Sequence, residues 1–322
     1  MTIDPRKRLR QGLDALWRDG GNTDVIAENA VFDVAWPVNQ LIGRDTILAH
    51  FIDPVRRALS HAHRRDLLFI GGQNIRDTGG YWCACVTHYV GTFDAPMFGL
   101  TPSNKLAFLR AGEFYRLQNN QIVEAKIIFD LPDLMHQSGR LPLPSLGTEI
   151  TFPAPATQDG LCPVSGDGMA SLDVVQRMLG DLHVYDPKTG ASKGQTGQDG
   201  TWADDMLWYG PAGVGSNYRW DGFVKDHRAD FLRAFPDRKG GNHYCRIGDA
   251  NYAAVSGWPS MTMTFQDSYL GQPADGRALT LRVMDFYRID TNRIAENWVT
   301  LDYGDLFYQM GRDLIMESNA LT

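Results

Sequence analysis

The amino-acid sequence predicts an α+β protein in which one domain plan occurs twice in tandem. The segments EAKIIFDLPDLMHQSG, from Glu124, and ENWVTLDYGDLFYQMG, from Glu296, align without a gap at an offset of 172 (296 − 124 = 172). GEFYRLQNNQIVE and MDFYRIDTNRIAE precede them at the same offset. The chain has 322 residues, a length that suits two domains of about 150 residues each. A duplicated domain therefore explains the repeat.

Each copy begins with helices and continues with strands. Apolar residues at helical spacing predict the first helix, from Leu9 to Trp17 in one copy and from Leu172 to Leu182 in the other. A short strand (Val31–Ala35; Met206–Tyr209) and a second helix (Asp45–Leu59; Phe223–Phe235) come next. In the first copy, strand-like runs follow at Asp66–Ile70, Tyr81–Thr92, Leu106–Leu117 and Gln121–Phe129, separated by turn signals. This order favours an antiparallel sheet with helices on one face.

Composition shifts suggest the domain boundaries. The expected domains are residues 1–140 and 169–322, joined by a proline-rich linker at residues 141–168. Inside the second domain, DPKTGASKGQTGQDG (Asp186–Gly200) predicts an exposed loop between the first helix and the first strand.

Bulk composition excludes several classes of partner. With 43% hydrophobic residues the chain is globular, and its net charge of −7 gives no reason to expect nucleic acid or an anionic membrane. There is no secretory signal and no apolar run of about 18 residues. Cys83 and Cys85 are spaced wrongly for a zinc knuckle or a redox pair, so buried reduced thiols are expected. We therefore expect a cytoplasmic protein with no metal and no cofactor.

Several motifs resemble the SnoaL-like polyketide cyclases of the nuclear transport factor 2-like superfamily. They are GTFDAPMFGLTPSNK (Gly91–Lys105), TFQDSYLGQPADGR (Thr264–Arg277) and the repeated LDxxDLxxQxG ending. The resemblance covers nearly the whole chain twice and is stronger in the second half. It implies cone-shaped domains, each a curved sheet around a deep, mostly apolar pocket that helices close. It also implies an intramolecular pseudo-dimer through the outer sheet faces, including Trp298, and leaves a homo-oligomer open.

The repeated aspartates are better explained as helix caps than as catalytic groups. In the family, the acid/base aspartate on the last strand would fall at Ile127 and Val299, so both copies have lost it. Asp130 and Asp302 come three residues later, where the strand ends and a helix is predicted to begin. Helix N-caps favour Asp because its carboxylate accepts hydrogen bonds from unpaired backbone N–H groups.

The candidate catalytic residues are Asp285 and Glu113. The resemblance puts both at the position of a family histidine on the penultimate strand. Strand alternation places Asp285 on one face with Tyr287, and Glu113 with Tyr115 in the same way. A desolvated carboxyl group beside a phenol suits proton transfer with oxyanion stabilisation. The alternative is a surface carboxylate paired with an Arg or Lys of a neighbouring strand.

Other polar residues are expected to bind the substrate. In addition to Tyr287 and Tyr115, they are Asn297, Tyr209, His243 and Asp33. The resemblance implies a protein that binds a small apolar organic molecule, with cofactor-free acid–base chemistry of the isomerase, cyclase or dehydratase kind in the second domain. The alternative is a noncatalytic ligand-binding or scaffold module of the same fold.

Overall fold

The computed structural model describes residues 4–145, 152–182, 184–186 and 192–321. The first domain has helices α1 (Pro5–Asp19), α2 (Arg44–Ile47), α3 (Asp53–Ala58) and α4 (Leu131–Gln137), with a π-helical segment, Leu48–Ile52, between α2 and α3. Its strands are β1 (Ile26–Val34), β2 (Asn39–Ile42), β3 (Leu59–Gln73), β4 (Tyr81–Phe93), β5 (Lys105–Gln118) and β6 (Gln121–Phe129).

The second domain repeats this order of elements. It contains α5 (Gly168–Leu182), β7 (Trp202–Tyr209), β8 (Ser216–Tyr218), α6 (Arg219–Phe223), a π-helical segment (Val224–Arg228), α7 (Ala229–Ala234), β9 (Cys245–Asp249), β10 (Tyr252–Thr264), β11 (Ala278–Asp290) and β12 (Arg293–Leu301), then α8 (Tyr303–Gln309) and α9 (Leu314–Ala320). The α+β plan built twice in tandem is confirmed.

The two sheets have the same strand order but are mixed rather than fully antiparallel. The orders are β2-β1-β6-β5-β4-β3 and β8-β7-β12-β11-β10-β9. β1 lies parallel to β6, and β7 lies parallel to β12, while the other neighbours are antiparallel. In each domain the first long strand thus pairs with the last strand, although the two are far apart in sequence. The expectation of an antiparallel sheet was wrong for this pair, because sequence periodicity does not reveal which distant strands pair.

Local signals explain where the helices form. α1 begins after Asp4, whose side chain accepts a hydrogen bond from the backbone N–H of Arg6, and it ends at Gly20 in the left-handed conformation (φ 75°). Its inward face buries Leu9, Leu13, Leu16 and Trp17, as predicted. α5 likewise buries the apolar residues that predicted it, including Leu172, Val175 and Met178.

The edge strands differ between the domains. The run Asp66–Ile70 proves to be the centre of β3, a strand of 15 residues that pairs with β4 from Leu59 to Gln73. Its counterpart β9 has 5 residues and pairs with β10 only at Tyr252–Ser256. The second sheet is therefore shorter along this edge, where the segment before β9 contains Gly240 and Gly241.

Both repeated aspartates cap helices, which confirms the prediction. The side chain of Asp130 accepts a hydrogen bond from the backbone N–H of Asp133 at 3.0 Å, and that of Asp302 accepts one from Asp305 at 3.1 Å. The second carboxylate oxygen of each reaches the other domain. Asp130 accepts from the backbone N–H of Ala212 at 3.0 Å, and Asp302 from that of Trp36 at 3.2 Å. Each cap is thus also a contact between domains.

Equivalent residues of the two domains meet at the domain contact. The rings of Phe114 and Phe286, which are related by the offset of 172, lie 5.4 Å apart. Arg6 of α1 forms an ion pair with Asp249 of β9 at 2.8 Å. A tilted aromatic contact and a largely buried ion pair therefore both join the domains.

The linker packs against the second sheet where the structure describes it. The indole N–H of Trp298 donates to the carbonyl of Pro153 at 3.0 Å, and the backbone N–H of Ala156 donates to Glu296 at 3.1 Å. Residues 146–151 of the predicted linker and 187–191 of the predicted loop lie outside the described residues. The boundaries at residues 140 and 168 stay a prediction. No described helix is long and apolar enough to cross a membrane.

Candidate active site

A cavity of about 110 Å³ lies in the second domain, between the sheet and the helices. Its walls are mostly apolar, with contributions from α5, the helical segments between β8 and β9, and strands β10 to β12. The lining residues are Met178, Leu179, Leu182, Trp202, Trp208, Phe223, His227, Phe231, Arg238, Gly240, Gly241, His243, Ser260, Met261, Leu281, Val283, Asp285, Tyr287, Asn297, Val299 and Leu301. Ligand sites of proteins are typically such apolar concavities with a few polar groups.

Asp285 is the carboxyl group of this cavity. It lies on β11, opposite Val255 of β10 and Val299 of β12, and is partly exposed. Removal from bulk water raises the pKa of Asp285 from an ordinary 3.8 to about 7. The nearby Asn297 and Tyr287 side chains stabilise the charged form by hydrogen bonding and offset only part of this effect. Near neutral pH, Asp285 can therefore both accept and release a proton.

Tyr287 and Asn297 lie beside Asp285 on the sheet wall. They are cross-strand partners on β11 and β12, and both line the cavity. Burial and the neighbouring Asp285 raise the pKa of Tyr287 well above its usual range, so its hydroxyl keeps its proton. The amide of Asn297 donates to the backbone carbonyl of Phe286 at 3.1 Å, which fixes its orientation. The structure thus brings three of the predicted site residues together.

The helical wall adds two polar residues that the sequence reasoning missed. His227 lies on the π-helical segment, and its ring stacks on that of Trp208 with centroids 4.5 Å apart. Burial, together with the cations Arg228 and Arg238, lowers the pKa of His227 to about 3, so its ring is neutral. Arg238 follows α7 and lies 4.6 Å from the centroid of the Tyr185 ring. The missed signal was a histidine within an apolar helical stripe, four residues after Phe223.

His243 lines the cavity as expected, while Tyr209 and Asp33 do not. The Nδ1 atom of His243 accepts a hydrogen bond from Arg246 at 3.1 Å. Tyr209 lies on the opposite face of the sheet, where it donates to Glu296 at 3.1 Å. Asp33 occupies the equivalent outer face of the first sheet and pairs with Lys126. Both substrate-binding assignments need correction, because strand alternation turns Trp208, and not Tyr209, towards the cavity.

Glu113, the counterpart of Asp285, has a different environment. It is fully buried and forms an ion pair with Arg64 of β3 at 2.8 Å. It also accepts hydrogen bonds from the Cys85 thiol at 2.9 Å and from the Tyr89 hydroxyl. Burial and the Glu113 charge raise the pKa of the neighbouring Tyr115. The interior carboxylate of the first domain is thus held by protein partners.

The length of the edge strand explains why the two interiors differ. β3 places Arg64 in the interior of the first domain, on Glu113. There the Tyr89 ring packs at a tilt against Trp17, with centroids 4.1 Å apart. In the second domain β9 is shorter, and Gly240 and Gly241 lie at the sheet edge that β3 occupies in the first domain. Both glycines line the cavity, and neither has a side chain that could fill it. The second carboxyl group therefore faces open space instead of a cation.

Comparison with known proteins supports the resemblance for the second domain. Residues 198–310 match the sequence model of the family described as SnoaL-like polyketide cyclase. The second domain is SnoaL-like. The match does not extend to the first domain, which shares the repeat and the strand order instead. A search of the curated proteins found no match.

Solved structures overlie about one domain of this chain. IdmH from Streptomyces antibioticus is 19% identical, with 34% of this chain and 82% of that chain covered and a TM-score of 0.29. TsrD from Streptomyces laurentii is 12% identical, with 43% and 98% covered and a TM-score of 0.34. A protein with a ketosteroid isomerase-like fold from Catenulispora acidiphila is 12% identical, with 41% and 92% covered and a TM-score of 0.30. At such identities none of them bears on activity.

The cavity of the SnoaL-like domain offers organic side chains rather than a metal-binding cluster. Within the described ranges, no three His, Cys, Asp or Glu residues are grouped so that they could hold a metal ion. What the cavity offers is one carboxyl group with a raised pKa, a phenol, an amide, a serine hydroxyl, two imidazoles and a guanidinium. This set can exchange a proton with an organic molecule and donate hydrogen bonds to its oxygens.

Proposed function

We propose that the second domain binds a small, mostly apolar organic molecule and transfers a proton at a carbon atom next to a carbonyl group. Asp285 is the proton-transfer group. The observation that carries the proposal is that Asp285, with a pKa raised to about 7, faces a mostly apolar cavity. A general base or acid works best when its pKa lies near the working pH.

The position of Asp285 also explains the loss of the family's aspartate. By resemblance, that aspartate would stand at Val299, and Val299 is the cross-strand partner of Asp285. Directly opposed residues on antiparallel strands have Cβ atoms about 5 Å apart. A carboxylate on β11 can therefore serve much the same part of the cavity as one on β12. The carboxyl group that this domain presents to the cavity therefore lies on β11 instead of β12.

The other sheet residues complete the proposed reaction. The Asp285 carboxylate accepts a proton from the α-carbon, and the electron pair of that C–H bond moves towards the carbonyl oxygen to form an enolate. Once Asp285 holds the proton, Tyr287 and Asn297 no longer have a carboxylate anion to stabilise, and the Tyr287 hydroxyl and the Asn297 N–H that faced Asp285 donate hydrogen bonds to this oxygen instead. Asp285 then returns the proton to carbon in an isomerisation, or to a leaving hydroxyl group in a dehydration. In a cyclisation, the enolate carbon attacks a second carbonyl group and the new alkoxide takes the proton.

The first domain fits the alternative, noncatalytic role. Glu113 is fully buried, and its carboxylate oxygens are held by Arg64, the Cys85 thiol and the Tyr89 hydroxyl. A carboxylate held in this way is a poor proton acceptor for a ligand. We therefore infer that the first domain has a structural role and stabilises the second. The contacts between them are made by Asp130, Asp302 and the Phe114–Phe286 pair.

Hydrogen exchange at carbon tests this proposal. A panel of small aryl ketones and oxo acids is incubated with the full chain in D2O at pH 7.5, and loss of the α-proton signal is followed by NMR. We expect Asp285→Asn to slow the exchange about 10²–10⁴-fold while ligand binding persists, the usual range for a lost general base. Glu113→Gln should slow it much less. Full exchange in the Asp285→Asn variant would overturn the assignment. Binding without exchange in the wild type would favour the noncatalytic alternative.

A further inference from the structure

The helical wall of the cavity carries a positive charge that the protein does not neutralise. Arg238 lines the cavity, and its Nη1 atom is buried without a hydrogen-bond partner. None of the described carboxylates lies within ion-pair distance of it, and its nearest aromatic partner is the Tyr185 ring at 4.6 Å. A guanidinium does not lose its proton in proteins. The charge therefore stays. Arg238 is partly exposed and has Tyr185 as a hydrogen-bond neighbour, but its buried Nη1 atom is left for an anionic group of a ligand.

A second unused polar group lies on the same wall. Neither ring nitrogen of His227 has a hydrogen-bond partner among the described residues, and Nδ1 is buried. Buried polar atoms are nearly always paired, so two unpaired ones in a single cavity call for an explanation. A neutral imidazole carries one N–H donor, which can bind an anionic oxygen next to the guanidinium.

Asp285 does not supply the missing counter-charge. It lies on the sheet wall, and the groups that shift its pKa are Asn297 and Tyr287, with no cation among them. Arg238 instead acts on His227, whose pKa it lowers. The cation and the proton-transfer group therefore serve different parts of a ligand.

The cavity volume limits the body of the ligand. An engineered cavity of about 150 Å³ binds benzene, and this cavity measures about 110 Å³. This cavity is thus smaller than the one that holds benzene, so one six-membered ring is the upper limit for the part of a ligand that it encloses, and the rest of the ligand has to extend through the opening.

We infer that the ligand of the second domain is a small organic carboxylate with an apolar body about the size of one ring, and that its carboxylate binds to Arg238 and His227. This inference shares its cavity with the proposed function and does not depend on proton transfer taking place there. It narrows the substrate to an oxo acid whose carboxylate lies at the helical wall and whose reactive carbon faces Asp285.

Calorimetric titration with a charged and a neutral probe of the same shape tests the inference. Benzoate and benzamide are titrated into the full chain at pH 6, where benzoate is ionised and Asp285 holds its proton. We expect benzoate to bind about tenfold more tightly or better, the ratio that about 1.4 kcal/mol gives. Arg238→Gln should abolish this preference, and Arg238→Lys should restore part of it. Arg233→Gln changes an exposed arginine in the same region and should have no effect.

The outcomes separate the inference from the proposed function. Equal affinity for the two probes, or no benzoate binding at millimolar concentration, would refute the carboxylate inference even if neutral ketones still exchanged their protons. A benzoate preference that survives in a folded Arg238→Gln variant would refute the role of Arg238. Benzoate preference with no exchange on any oxo acid would uphold the inference and reject the proton transfer.

Discussion

Asp285→Asn should make the protein more stable at alkaline pH while it removes activity. The pKa of Asp285 in the folded chain is about 7, against an ordinary value of 3.8. Between these values the folded state holds a proton that the unfolded chain has released. Asp285 therefore destabilises the fold progressively as the pH rises from about 4 to 7, and the loss is complete above 7. Asparagine has a similar shape and carries no such cost.

The magnitude follows from the shift. The difference of 3.2 pKa units (7 − 3.8 = 3.2) corresponds to about 4 kcal/mol at 1.36 kcal/mol per unit. Part of this stability is already lost at pH 5, because the unfolded chain has released its proton there. A further loss of about 2–3 kcal/mol in the free energy of unfolding is therefore expected between pH 5 and 8.5. The unfolding free energy of Asp285→Asn relative to wild type should thus rise by that amount across the interval.

Urea unfolding followed by circular dichroism at both pH values measures this difference. The other buried acids with raised pKa values, Asp133 (about 7) and Asp302 (about 6), are present in both proteins, and their contributions cancel. Asp290→Asn is the control, because its side chain is 60% exposed at the end of the same strand. A stability difference between Asp285→Asn and wild type that does not change between pH 5 and 8.5 would refute the account of a desolvated carboxyl group.

Three further predictions follow from the same contacts. At pH 4, where burial, which raises the pKa of Asp302 to about 6, costs little stability through its ionisation, Asp302→Ala should lower the free energy of unfolding by more than the roughly 1 kcal/mol expected for a simple cap such as Asp313, because the contact with Trp36 of the other domain is lost as well; urea unfolding of both alanine variants tests the ranking, and equal losses would contradict it. Glu113→Gln should lower the free energy of unfolding by up to about 3 kcal/mol, the low end for a broken buried ion pair, because Arg64 loses Glu113 but keeps its ion pair with Asp66 at 2.9 Å; a free energy of unfolding unchanged from wild type would show that the Arg64–Glu113 pair does not contribute to stability. The rate of proton exchange at carbon should rise with pH through about 7, where Asp285 ionises, and level off above it; a rate profile that is flat from pH 5 to 9 would exclude Asp285 as the base.

The positions of the sheet-wall residues could be predicted because they follow from local rules. Strand alternation is enough to put Asp285 and Tyr287 on one face, and the repeat puts Glu113 at the equivalent place. The caps at Asp130 and Asp302 could be predicted for the same reason, since a cap depends on a few consecutive residues. Tyr209 was placed in the site because of its position in the repeat and because the family has a polar binding residue nearby, whereas the direction in which its side chain faces depends on how β7 pairs with β12.

The sequence by itself thus determined the duplication, the order of helices and strands, the helix caps and the face on which Asp285 lies. Only the tertiary structure decided how the surroundings of the two equivalent carboxyl groups differ. A 15-residue edge strand carries Arg64 onto Glu113 in one domain, and a 5-residue strand leaves Asp285 facing open space in the other. The unpaired groups of His227 and Arg238 likewise emerge only when the helices close over the sheet. The reason is physical: periodicity is set by neighbours along the chain, whereas desolvation and pairing are set by residues that are distant in sequence and adjacent in space.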